Sequence, residues 1–524
     1  MQTADVRFAR VLPLLTLLSL LSGPAAPAPD PASASGRLRD GVRAHVTAHE
    51  SEILGEFREL LAIPNLASDS ENIRKNARAI AALFEKRGVR TELLEEPGAP
   101  PVVFGDLPAK GAARTVVFYA HYDGQPVDPA QWTGEPWTPV LRDGPLEDGG
   151  RDVAWGAIPA ALPGEWRLYA RSAGDDKAAI VGFLAALDAL SALRVSPSVN
   201  LKFFLEGEEE AGSPHLEATL RRHASRLKAD AWAFCDGPVH TSRRPLVFFG
   251  ARGVVGLDMT VYGPARPLHS GHYGNWAPNP VALLSGLAAS MRAADGRITI
   301  PGFSDDVLPP TAVERRALGE VPDDGPALER ELGLAPDGAR RPLAESVLAP
   351  ALNFRGFSAG HVGEAAANAI PTEARVSIDF RLVPDQTPER VRERVEDFVT
   401  KQGFFIVRGA LDRVTRLSHP RILRMDWSAG YPAARVSMDL PFCRAVVAIA
   451  ERAAAGPIVR QPTLGGSLPM YLFREILGVP IVGVPIANHD DNQHAANENI
   501  RLRNLWDGIV LYAGLFAELG RDWR

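Results

Sequence analysis

The stretch TVVFYAHYDG, residues 115–124, decides how the chain is read. An apolar run rich in β-branched and aromatic residues breaks off into His, Asp and Gly, the pattern of a short buried strand opening into a polar loop. The form recurs along the chain. VNLKFFLEGEEE (199–210) ends in acids after a helix predicted near residues 177–193, AWAFCDG (231–237) ends in Asp236, and VPIVGVP (479–485) leads into NHDDNQHAANE, which carries His494. Strands alternating with helices predict an α/β fold with a mainly parallel sheet flanked by helices. In such sheets ligands gather beyond the carboxyl ends of the strands.

Between these segments the texture changes. In ARVSIDFRLV (374–383), Val376, Ile378, Phe380 and Leu382 alternate with Arg375, Ser377, Asp379 and Arg381, which describes a sheet with one polar and one apolar face. A helix opened by Asn279-Pro280, a long Pro/Asp-rich excursion and a helix over 388–401 accompany it. The expected organisation is a leader and linker over 1–34, a catalytic domain split into 40–248 and 431–524, and a smaller α+β domain inserted at 249–430. The chain of 524 residues, with 57 Lys+Arg against 63 Asp+Glu and 46% hydrophobic residues, is long enough for at least two cores. A disordered or fibrous chain is excluded. The net charge of −6 argues against nucleic acid as a partner, which calls for clustered basic residues.

Arg7 and Arg10 precede the 12-residue run VLPLLTLLSLLS (11–22) and a small-residue stretch, a secretory signal pattern with cleavage expected between Ala26 and Ala34. That run is shorter than the roughly 20 residues needed to span a bilayer, so no stable membrane anchor is expected after cleavage, and the mature protein is expected to be secreted or periplasmic. Cys235 and Cys443 read as buried thiols.

Five strand-end segments offer His121 with Asp123, Asp175, Glu209 with Glu210, Asp236, and His494. Each alone reads as a polar loop residue, but together this mixture of imidazole and carboxylate suits zinc. Two zinc ions sharing these groups need a common carboxylate, for which Asp175 is the natural bridge. The run Glu208–Glu210 sets a ligand beside a free carboxylate able to take a proton from a metal-bound water.

HYD, GDDKA, EGEEEAGS, CDGP and DNQHAANE stand in an order that resembles the di-zinc metallopeptidases, the family of carnosinase, aminoacylase, bacterial dipeptidases and glutamate carboxypeptidase, from about residue 45 to the end. The resemblance implies a zinc-peptidase sheet with an inserted lid or dimerisation domain, and two zinc ions per subunit with manganese or cobalt as substitutes. It maps the ligands onto His121, Asp175, Glu210, Asp236 and His494, the general base onto Glu209, and the residue orienting His121 onto Asp123. It implies substrate contacts at Asn368, Arg381 and Ser467, with Arg381 gripping a substrate carboxylate. His269 would stabilise the oxyanion; some relatives supply it from the neighbouring subunit, which implies a homodimer. The chain departs from the family pattern at ARSAGDDKA, where relatives carry Gly-Arg-Gly before and Gly after the Asp-Asp-Lys, and in an insertion near 145–165 at the expected pocket rim.

The implied reaction is hydrolysis of an amide bond in a dipeptide or related small carboxylate-bearing substrate through a metal-bridging water. Within the family, an N-acyl amino-acid amidohydrolase or a carboxypeptidase are the alternatives. Outside it, GFSAG (356–360) matches a nucleophile elbow with Ser358 as nucleophile, followed by Asp379 and by His419 or His494. A non-catalytic, metal-supported binding protein is the third reading, and a general base at Glu209 speaks against it.

Overall fold

The apolar runs assemble at the centre of an eight-stranded sheet in the order Arg90–Leu94, Val102–Leu107, Asn200–Glu206, Thr115–His121, Ala231–Phe234, Ile481–Gly483, Leu246–Phe248, Val459–Gln461. This computed structural model describes residues 31–159, 161–337 and 340–523. The four strands from Asn200–Glu206 to Ile481–Gly483 are parallel; the pairings that flank them are antiparallel, and the edge pair Leu246–Phe248 with Val459–Gln461 is again parallel. Parallel strands covered on both faces need no polar alternation, and every residue from Val116 to His121 is buried.

One face is covered by the helices Pro31–Leu61, Lys177–Ala192, Pro441–Ala454 and Leu502–Asp522, which share a core with the strands. At its centre the Phe118 ring packs edge-on to Phe516 at 4.8 Å and lies 5.9 Å from Phe183. Truncating such a ring to alanine costs about 3–5 kcal/mol. The other face is closed by a cluster that includes Leu216, Leu220, Met470 and Phe473. Register then places the chemistry. His121 lies opposite Glu206, and Tyr119 lies opposite Phe234, so Asp236, two residues past Phe234, comes level with His121 at the carboxyl edge.

The alternating strand Glu373–Leu382 lies in a separate five-stranded sheet, ordered Ala351–Ser358, Glu373–Leu382, Gly253–Tyr262, Ile422–Trp427, Phe405–Val407. Its apolar face packs on the helices Pro280–Met291 and Pro388–Lys401, forming its own core through Val376, Ile378, Phe380, Val391 and Val395. Both helices start where the sequence signals it: the Asn279 side chain accepts from Val281 N and the Thr387 side chain from Arg390 N. Not all of the stretch between the two halves of the main sheet follows this second sheet. The helix Ala312–Glu320 packs back on the strand Val459–Gln461, with Ala317 in the main core and Glu314 paired to Arg435 at 3.1 Å.

Residues 1–30, with the apolar run read as a leader, lie outside the described residues, and the helix Pro31–Leu61 begins inside the stretch read as leader and linker. It buries Val42, Val46, Leu54, Phe57 and Leu61 against the main core. Among the described residues no helix is long and apolar enough to cross a membrane. Cys235 and Cys443 are free and buried.

Candidate active site

The carboxyl edge of the main sheet gathers the six strand-end acids and histidines into two groups of donors. His121, Glu209 and Asp236 form one, Asp175, Glu210 and His494 the other, with the ligand atoms of each group within 4.8 Å of one another. Asp175 reaches into both. Its Oδ1 lies 2.8 Å from His121 Nε2 and its Oδ2 lies 3.2 Å from His494 Nε2, which itself sits 3.2 Å from Glu210 Oε2. Imidazole nitrogens and carboxylate oxygens arranged as two sets joined by one carboxylate fit a pair of borderline metal ions.

The positions of these groups are fixed from behind. Asp123, fully buried, accepts from Glu209 N at 3.1 Å and Glu210 N at 3.0 Å, and its Oδ1 lies 3.4 Å from His121 Nδ1. It therefore pins the turn that presents both glutamates while standing beside His121, the place in which an orienting carboxylate would act. Glu498 does the same for Asp175. Only 1% exposed, it accepts from Ser172 N at 2.9 Å, Gly174 N at 3.0 Å, Asp175 N at 2.9 Å and Arg171 Nη1 at 2.8 Å. Gln493 donates to Asp175 Oδ2 at 2.7 Å and Gln125 to Glu210 Oε2 at 2.8 Å. None of these three was singled out by the sequence reading; each looks there like an ordinary polar loop residue.

The loop bearing His494 takes left-handed backbone at Asn492, His494 and Asn497, with φ of 59°, 63° and 60°, a conformation that Asn and His tolerate better than most residues. Asp490 anchors it, accepting from Arg167 Nη2 at 2.5 Å and from Arg501 Nη2 at 2.7 and 2.8 Å. The insertion near 145–165 belongs to a small sheet ordered Asn499–Arg501, Arg167–Tyr169, Val140–Arg142, Asp152–Val153, and Glu147 takes the Asn492 amide at 3.2 Å. The insertion thus braces this loop.

Crowded carboxylates shift one another. Burial, with the charges of Asp236, Glu210 and Asp175, holds the Glu209 carboxyl well above the usual range against the pull of His121. Burial and Asp175 push Asp236 up to about 7. Burial also works against the Asp175 charge, but His121, His494 and Gln493 outweigh it and hold that carboxyl low. His494 is pushed up to about 10 by Asp175 and Glu210.

The inserted domain delivers only part of its expected set. Arg381 Nη1 donates to Ser467 Oγ at 2.9 Å, and its Nε donates to Asp379 Oδ2 at 2.7 Å. Tyr431, given no role in the sequence reading, stacks on Tyr471 at 5.5 Å; burial and the Glu209 charge raise its hydroxyl while Arg381 lowers it. His269 and Asn368 come together elsewhere, on the paired segments Leu268–His269 and Ala369–Ile370, where Ser270 N donates to Asn368 O at 2.9 Å. Both side chains are exposed and belong to neither donor group. Ser358 ends an exposed antiparallel strand opposite Arg375 and opens no helix, while Asp379 is held by Arg381 and His419 stacks on Phe405 at 3.6 Å. The serine-hydrolase alternative therefore has no assembled site.

Residues 117–518 match peptidase family M20/M25/M40. The chain belongs to this family. The Cys-Gly metallodipeptidase dug1 of Schizosaccharomyces pombe is 26% identical over 492 residues, covering 90% of this chain and 96% of that protein. The human Beta-Ala-His dipeptidase is 25% identical, covering 98% of each chain. Among solved structures, the M20 family metallo-carboxypeptidase Sso-CP2 from Sulfolobus solfataricus superposes with a TM-score of 0.73 at 26% identity, covering 90% of this chain and 99% of that one. This protein is a peptidase of the M20 family, with a metal-type donor set of the kind the family uses, and the non-catalytic reading falls away. The expectation of a secreted or periplasmic enzyme is also corrected. The similar yeast Cys-Gly metallodipeptidases are cytosolic enzymes, and the apolar run behind that expectation lies outside the described residues.

Proposed function

We propose that this M20 peptidase is a di-zinc dipeptidase that cleaves the amide bond of small substrates with a free carboxylate. The observation that carries the reading is the placement of Asp175, one oxygen toward each histidine, with Glu209 gathered to the same edge beside His121 and Asp236. His121, Asp236, Glu210 and His494 would hold the metals with Asp175 between them. When bound, the ions would supply Lewis acidity and acidify a bridging water. Glu209, whose environment favours holding a proton, takes one from the attacking water and returns it to the leaving amine. Arg381, steadied by Asp379 and Ser467, grips the substrate carboxylate through its planar fork.

His269 completes the oxyanion site from the second subunit of a homodimer, a reading supported by its exposed position with Asn368, outside both donor groups of its own chain. Trp276, close by in sequence and 81% exposed, supplies apolar surface for such a contact. The names of the relatives, two dipeptidases and a carboxypeptidase, favour dipeptides, with carboxypeptidase action as the second reading. Zinc-loaded protein assayed against dipeptides, tripeptides and N-acyl amino acids separates them. Dipeptides are expected to give the highest kcat/KM; faster release of a C-terminal residue from tripeptides would establish the carboxypeptidase reading, and selective cleavage of acyl amino acids would overturn both.

A further inference from the structure

A cavity of about 380 Å³ opens between the helices Pro31–Leu61, Pro441–Ala454 and Leu502–Asp522 and the segment that follows Asp236. Five arginines line it: Arg43, Arg243, Arg244, Arg501 and Arg503. Its remaining wall is largely apolar, with Pro245, Ala453, Pro485, Ile486 and Leu511. Three carboxylates answer these guanidiniums. Asp507 pairs with Arg43 at 2.8 Å, Glu165 lies 3.1 Å from Arg243 and 3.4 Å from Arg503, and Asp490 holds Arg501 while also serving Arg167. Two guanidinium charges are left in excess. Arg244 makes no hydrogen bond or ion pair among the described residues. Arg501 is 1% exposed and bound to Asp490 through Nη2, yet its buried Nε has no hydrogen-bond partner and lies 3.4 Å from Glu165.

A buried guanidinium N–H left without a hydrogen bond is costly, and a cavity that combines one with surplus cationic forks and apolar walls is built for an anion with an apolar body. A carboxylate brings one charge and two oxygens. A phosphate monoester brings close to two charges and three acceptor oxygens, which matches the surplus. We propose that this cavity binds a phosphate monoester carried on a small apolar group, at a site separate from the metal-type donor groups.

The test is calorimetric titration of the metal-loaded peptidase at pH 8 with phenyl phosphate, inorganic phosphate and benzoate as probes. Phenyl phosphate is expected to bind at least tenfold more tightly than either fragment. The Arg244→Glu and Arg503→Glu variants, at exposed positions, are expected to weaken it at least tenfold while keeping wild-type peptidase turnover, which also reports that they fold. Absence of phenyl phosphate binding, equal affinity for benzoate, or binding unchanged in both variants, as for an anion held at the metals, would each overturn the proposal.

Discussion

The two halves of the site are held in opposite ways. At the carboxyl edge of the main sheet His121 and Asp123 are fully buried, Asp175 is 4% exposed, and each is tied to backbone amides or to another buried group. In the inserted domain His269 and Asn368 are exposed, and Arg381 leans on two side chains. The sheet edge is preorganised by the same packing that stabilises the fold, whereas the proposed substrate contacts lie on exposed segments or lean on neighbouring side chains. Damage to the first should abolish chemistry or folding; damage to the second should leave metal and stability intact.

The largest effect is expected for Glu209→Gln, which keeps shape and removes the base. A positioned general base contributes about 10²–10⁴ in rate, and kcat should fall toward the upper end with both metals retained by elemental analysis. Wild-type turnover would remove Glu209 from its proposed role. Next comes Glu498→Ala, which leaves Arg171 and three backbone amides without their buried acceptor. Breaking a buried charged network from one side costs about 3–5 kcal/mol, read by urea unfolding, and the metal should be held less tightly because Asp175 loses its support. A variant as stable as wild type would show that the network is not what fixes Asp175.

On the other side of the comparison, His269→Ala is expected to lower kcat by about 10²–10³, as for loss of an oxyanion donor, with unchanged melting temperature and metal content. Arg381→Ala should act mainly on KM for carboxylate substrates. If either variant lost metal or unfolded, the inserted domain would be part of the rigid half and the contrast would fail.

How much of this was readable from the sequence follows the same division. Parallel strands buried on both faces leave unbroken apolar runs, so the residue at which each run ends is visible, and those ends carry His121, Glu209, Glu210 and Asp236. The alternating face of residues 374–383 was equally legible. Glu498 was not, because a buried acid that binds amides looks in sequence like a solvated one. Tyr431 and the helix Ala312–Glu320 were missed for another reason. Their roles depend on which distant segments they meet, Tyr471 for the one and the main core for the other, and neither periodicity nor composition encodes that choice. The localisation drawn from the leader pattern failed in a third way: a run of apolar and small residues is a local composition signal, and it carries no information about where the folded chain resides.

The smallest expected effect concerns the loop between the two regimes, where His494 is held through Asp490. Burial raises the Asp490 carboxyl, but the hydrogen bonds from Arg167 and Asn488 and the charges of Arg167 and Arg501 outweigh it and bring the group down to about 2. A carboxyl whose pKa is lower folded than unfolded stabilises the protein above its unfolded value, near 4, and loses that contribution as pH falls toward 2. Because Asp490 is one-third exposed, solvent screening reduces the contribution to about 1 kcal/mol. Asp490→Asn should therefore lower stability by a constant amount above pH 5, and the gap to wild type should narrow between pH 4 and 2. Urea titrations at pH 7, 5, 4 and 3 measure it. A gap that stays constant down to pH 3 would mean that the Asp490 charge is not what ties the loop to Arg167 and Arg501, and that shape and neutral hydrogen bonds hold His494 in place instead.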